Sequence, residues 1–183
     1  MNGYVAFLKK EFTENIKNCR FLILFAVFLI FGLTSPLLAR FMPEILSAVA
    51  EDMQKRSAPV ALDAWEQFYK NISGVGFSAL IILFGSCMSG EYAKGTLILM
   101  VTKGLSRPAV IFAKYTAAAV FMTVCYWAGF FAACRCTACL WPRTALSHVF
   151  AAAFFLWLAG FLYLSILLPG CVMFRQTFTG ILF

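Results

Sequence analysis

Residues 21–39 read FLILFAVFLIFGLTSPLLA, and no Asp, Glu, Lys or Arg interrupts them. At roughly 1.5 Å rise per residue, a helix of that length matches a hydrocarbon core about 30 Å thick. Three more charge-free stretches follow: NISGVGFSALIILFGSCMSG at 71–90, YTAAAVFMTVCYWAGFFAAC at 115–134 and HVFAAAFFLWLAGFLYLSILL at 148–168. The chain carries 15 Lys and Arg and 8 Asp and Glu, all of them outside these four stretches. A charge at mid-membrane costs about 2.5–3.5 kcal/mol on insertion scales, so this placement selects membrane-crossing helices. The expected fold is all-α: a polytopic helical membrane protein with spans at about 21–39, 71–90, 115–134 and 148–168 and the start of a fifth from about residue 177.

Composition agrees, with 62% hydrophobic residues, 17% aromatic residues and a mean hydropathy of +0.86. The longest polar interval, Arg40–Lys70, still contains apolar runs and is too short for an independent soluble unit. Residues 1–183 are therefore read as a single membrane domain. The first apolar run is longer than the core of a signal peptide, and Glu11 and Glu14 stand among the basic residues before it, so it is expected to stay as a helix. The formal charge of +7 suits anchoring to anionic lipid at the bilayer surface, and no folded basic domain offers a nucleic-acid surface.

The segments between the spans carry further helical patterns. In residues 3–19, Val5, Leu8, Phe12, Ile16 and Cys19 recur at steps of three and four, with Lys9, Lys10, Thr13, Glu14 and Lys17 opposite, the pattern of an interfacial amphipathic helix. Pro36 is expected to kink the end of span one, and Pro43 to begin a separate outer helix that Ala58-Pro59 breaks. A second outer helix is expected from Asp63, with Trp65, Phe68, Tyr69 and Ile72 along a face suited to the membrane–water boundary. In Glu91–Lys114, Leu97, Met100 and Val101 share one face of a short surface helix. Pro169-Gly170 is expected to end span four, and the apolar run Thr177–Phe183, too short to cross a bilayer, reads as a truncated fifth span.

Chemistry-bearing motifs are sparse. Gly90-Glu-Tyr-Ala-Lys-Gly95-Thr96 has the glycine spacing of a phosphate-binding loop but lacks its lysine and follows a membrane helix, so no nucleotide is expected to bind there. Cys134, Cys136, Cys139 and His148 are soft ligands at a spacing tighter than zinc knuckles; a metal site, a Cys136–Cys139 disulfide and plain apolar packing are the three readings, and no metal is expected. His148 has no acidic partner within a span, so no proton pathway is expected. Ser86, Gly90, Ala128, Ala132 and Ala151–Ala153 are small enough for close helix contact. Asn71-Ile-Ser73 is a glycosylation sequon at the membrane edge and is given no role.

The stretch Glu91-Tyr-Ala-Lys-Gly95-Thr96-Leu97-Ile-Leu-Met100-Val-Thr-Lys-Gly-Leu-Ser106-Arg107, followed by Lys114, resembles the loop after the second span of ABC-2 type transporter permeases. Leu8-Lys-Lys-Glu11-Phe12 resembles that family's amphipathic elbow helix, and Phe174-Arg-Gln-Thr-Phe-Thr-Gly180 its loop into span five. Lys103-Gly104-Leu105 stands where the family often has proline before Ser-Arg, a departure confined to the turn. The resemblance implies a multi-pass subunit of a bacterial plasma membrane, amino terminus in the cytoplasm, acting as a homodimer or heterodimer of permease subunits in export. It also implies that a separate ATP-binding subunit drives it through residues 91–114, with Glu91, Gly95, Thr96, Leu97, Met100, Ser106, Arg107 and Lys114 as coupling residues. The chain itself would then be no enzyme and need no cofactor. A small accessory membrane protein that binds a partner without transporting is the alternative. The basic flank of span one, Lys9, Lys10, Lys17 and Arg20, independently favours the cytoplasmic amino terminus.

Overall fold

The computed structural model describes residues 2–49, 61–93, 107–141 and 147–174, and within them the side chains of residues 4–42, 61–86, 108–141 and 148–171. All described elements are helical, as expected where a bilayer offers the backbone no hydrogen-bond partners of its own. In chain order they are α1 (Asn2–Lys17), α2 (Arg20–Val49), α3 (Ala61–Asn71), a π-helical turn (Ile72–Gly76), α4 (Phe77–Ala93), α5 (Arg107–Leu140) and α6 (Ser147–Phe174). Four candidate spans, Arg20–Met42, Ala61–Ser86, Pro108–Leu140 and His148–Cys171, correspond in order to the four apolar stretches.

The helices are longer than the charge-free stretches, and this changes several expectations. α2 continues through Pro36 and Pro43 to Val49, so the helix expected to begin at Pro43 is its extension. α6 likewise runs through Pro169-Gly170 to Phe174 instead of ending there. Each proline removes one backbone donor, a loss a long, well-packed membrane helix absorbs locally. The separate helix expected from Asp63 is the first part of the second candidate span, Ala61–Ser86: α3, the π-helical turn and α4 follow one another without a break. At the turn the Phe77 amide donates to the carbonyl of Ile72, five residues back, which inserts one extra residue into the helix. Trp65 and Phe68 are buried against α2 and α5. The short surface helix expected around residues 97–101 and the segment from residue 177 lie outside the described residues.

The core is built on a close crossing of α2 and α5. Gly32 and Gly129 face each other there, and a Cβ on Gly129 would sit 2.6 Å from the backbone oxygen of Phe28. Phe28, Phe68, Phe77, Leu80, Met122, Tyr126, Phe130 and Leu164 fill the space around that crossing. Three polar side chains inside the bundle find partners on neighbouring helices, since an unpaired polar group in apolar surroundings is costly; the buried Thr137 hydroxyl of α5 has none. The Tyr69 hydroxyl donates to the Val149 carbonyl at 2.8 Å, the Tyr126 hydroxyl to that of Ala153 at 2.7 Å, and Asn71 Nδ2 to Ser35 Oγ at 3.1 Å. Leu22, Ile30, Phe112, Phe155, Leu162 and Ile166 point outward, as lipid-facing side chains do.

Between α1 and α2 the chain turns at Asn18-Cys19, where Cys19 has φ 56°, the left-handed region. The turn is held by the Cys19 amide donating to the Ile16 carbonyl at 3.1 Å and the Asn18 amide to that of Glu14 at 2.9 Å. A residue with a Cβ costs about 1–2 kcal/mol in this conformation, while glycine costs about 0.4–1 kcal/mol through the unfolded chain. Cys19→Gly is therefore expected to stabilise the corner by about 0.5–1 kcal/mol. The rise should appear in thermal unfolding in detergent, with Cys19→Ala unchanged.

Candidate coupling site at the base of span three

The side of α1 that packs on α5 takes in only part of the apolar stripe expected from its spacing: Phe12 meets Phe121 of α5 with ring centroids 4.9 Å apart, and Leu8 packs against Phe7, Val110 and Ala113. Phe7, Glu11 and Asn15, at steps of four, form the buried face, with Phe7 against Val110 and Ala113 of α5. Val5 and Ile16 of the apolar stripe remain 62% and 56% exposed. The helix therefore has three sides: one packed on protein, one apolar and open, one charged. A division into apolar and polar halves could not anticipate a glutamate on the packed side.

What holds Glu11 there is Lys114. Lys114 Nζ lies 2.9 Å from Glu11 Oε2, and the two side chains are only 4% and 2% exposed. Taking both charges out of water costs several kcal/mol each, so the pair persists only because each neutralises the other at hydrogen-bond distance. Around it, Lys10 Nζ is 3.6 Å from Glu11 Oε1, Asn15 Nδ2 donates to the Glu11 carbonyl at 3.0 Å, and the hydroxyls of Tyr4 and Thr116 are 3.4 Å apart. Glu11 Oε1 and Asn15 Oδ1 are buried without a hydrogen-bond donor. On the water side Lys10 donates to Glu14 at 2.9 Å and thereby holds that carboxyl below the usual carboxylate range. Glu14 thus stays charged until pH falls through its lowered value, and its pairing with Lys10 is lost only in acid.

Of the residues expected to couple the chain to a partner, Lys114 is the one whose side chain is described. Glu91 lies in the last turn of α4 and Arg107 opens α5, with their side chains outside the described residues; Gly95, Thr96, Leu97, Met100 and Ser106 lie outside them altogether. The partner of Lys114 is Glu11 on α1, 103 positions away and not among the site residues expected from the sequence. Its signal in the sequence was its place four residues after Phe7 and four before Asn15, between the apolar stripe and the charged face.

Cys134, Cys136 and Cys139 follow one another along α5; Cys134 and Cys136, two residues apart, point to different sides, whereas Cys136 and Cys139, three apart, share a face, and all three are free. Cys136 Sγ instead lies 3.9 Å from the Leu33 carbonyl on α2.

Four long apolar helices and an amphipathic helix clasped to the base of the third define a multi-pass helical membrane protein. The family description ABC-2 family transporter protein matches residues 5–177, and the chain belongs to that family. Its members are membrane proteins that are not themselves ATPases and work with an ATP-binding subunit. No curated protein and no solved structure matches the chain.

Proposed function

We propose that this chain is the permease subunit of an exporter, driven by a separate ATP-binding subunit that docks on the cytoplasmic segment 91–114. The observation that carries this reading is the buried Glu11–Lys114 pair. It joins the elbow helix to the first two turns of α5, the helix that leaves the docking segment at Arg107. A push on that segment then moves α1 and span three as one body, because breaking the pair would strand a charge out of water. The amino terminus is cytoplasmic in this reading, supported by the basic flank of span one, and the working unit pairs two permease subunits in a bacterial plasma membrane.

Reversing a docking charge tests the proposal. Glu91→Lys or Arg107→Glu, in the chain co-expressed with an ATP-binding subunit encoded alongside it, should abolish co-purification or transport while leaving membrane insertion nearly unchanged. Charges outside the spans carry little insertion penalty, whereas an interface pair turned repulsive costs several kcal/mol. Arg56→Glu, on the opposite side of the membrane in this reading, is the silent control. Loop variants that keep both partner binding and transport would favour an accessory protein instead.

A further inference from the structure

The lysines of α1 are not equivalent. Lys10 is engaged with Glu14 at 2.9 Å and Glu11 at 3.6 Å. Lys9 and Lys17 are exposed and take part in no ion pair among the described residues. They stand eight positions apart, two turns of helix, with Thr13 midway, so all three share one stripe. That stripe borders the open apolar one, where Val5 and Ile16 are more than half exposed. The open surface over this stripe is lined among the described residues by Ala6, Lys9, Lys10, Thr13, Glu14, Lys17 and Asn18. Glu14 is the acidic group among them, and Lys10 neutralises it there.

Apolar side chains that need hydrocarbon, directly beside two free ammonium groups, match the boundary of an anionic leaflet, where acyl chains meet phosphate within a few ångströms. A soluble partner fits less well, since it would have to cover Val5 and Ile16 together with the lysines. We propose that Lys9 and Lys17 form a site for the phosphate of anionic phospholipids. Through the Glu11–Lys114 clasp on the other side of the same helix, lipid charge then sets how firmly α1 sits on span three. The site itself stands on the geometry of α1 alone; its influence on transport rests on the coupling proposed above.

The test separates the two. Delipidated full-length chain is titrated with phosphatidylglycerol or phosphatidylcholine and bound lipid is counted by native mass spectrometry. A juxtamembrane lysine contributes about a five-fold factor, so Lys9→Gln/Lys17→Gln should weaken phosphatidylglycerol binding roughly 25-fold and leave phosphatidylcholine unchanged. Lys70→Gln, whose lysine is already paired with Glu66 at 2.7 Å, should leave both unchanged. Equal binding of phosphatidylglycerol by the double variant and the parent would overturn the site, as would complete competition by inorganic phosphate, which would make it a site for the free anion. Loss of co-purification with the ATP-binding subunit at unchanged lipid binding would make the stripe a protein interface and also overturn it. In vesicles with that subunit, phosphatidylglycerol should raise coupled ATP hydrolysis for the parent and not for the double variant. If lipid binding falls as expected but hydrolysis responds equally in both, the site stands and its regulatory role fails.

Discussion

Lys114→Met is expected to lower the stability of the chain by about 3–5 kcal/mol, the cost of leaving a buried carboxylate without its counter-charge. Glu11 is 2% exposed, one of its oxygens already lacks a hydrogen-bond donor, and the nearest other cation, Lys10, is 3.6 Å away and shared with Glu14. Glu11→Leu should cost a similar amount, because Lys114 then stands buried in its turn. The pair Glu11→Leu/Lys114→Met removes both charges and keeps most of the volume, so its stability should return close to that of the parent; buried pairs replaced by apolar side chains are often neutral or better. The measurement is a double-mutant cycle by thermal or denaturant unfolding in detergent, and additive losses would mean that the two groups do not depend on each other. The same double variant separates stability from coupling. It should fold and insert, yet respond less to the ATP-binding subunit, because an apolar contact yields to sliding where an ion pair does not.

The four spans were legible because charge exclusion from hydrocarbon is a strong, sequence-wide constraint, and the amphipathic start was legible from its three-and-four spacing. The helix ends were not. A charge-free run marks what lies in the hydrocarbon, while helices extend past it wherever neighbours satisfy them, as α3 does by packing Trp65 and Phe68 against the bundle. Proline gave the wrong boundary at Pro169 for a related reason: in water the broken hydrogen bond ends a helix, and in a membrane the helix has no better alternative; at Pro43, just past the candidate span Arg20–Met42, α2 continues and the structure gives no separate reason. In the candidate site, the sequence pointed to Lys114 through family resemblance, but Glu11 is paired with it across 103 positions, and only the packing of α1 on α5 brings them together. The crossing glycines were missed because a glycine in an apolar run gives no sign of which helix it faces; the small residues singled out, such as Ala128 and Ala132, flank the true contact at Gly129.

That contact carries the other large effect. At Gly32 and Gly129 the backbones of α2 and α5 themselves touch, so an added side chain meets main-chain atoms that cannot rotate away. Overpacking a core costs about 1–3 kcal/mol when side chains can adjust, and here the helices must separate as rigid bodies, so Gly129→Val should cost about 3 kcal/mol or more. Separation would also pull Phe28 and Tyr126 out of register and weaken the Tyr126 bond to the Ala153 carbonyl, so the loss should spread into α6. Gly160 supplies the control, since its added Cβ would meet Met122 Cε at 2.5 Å and Sδ at 2.9 Å, the far end of a flexible thioether. Gly160→Ala should therefore be clearly milder than Gly129→Ala. Unfolding in detergent, read by size-exclusion retention after heating, distinguishes the two. Equal tolerance at both positions would mean that α2 and α5 do not cross at Gly32 and Gly129, and the packing of the other helices around that crossing would have to be redrawn.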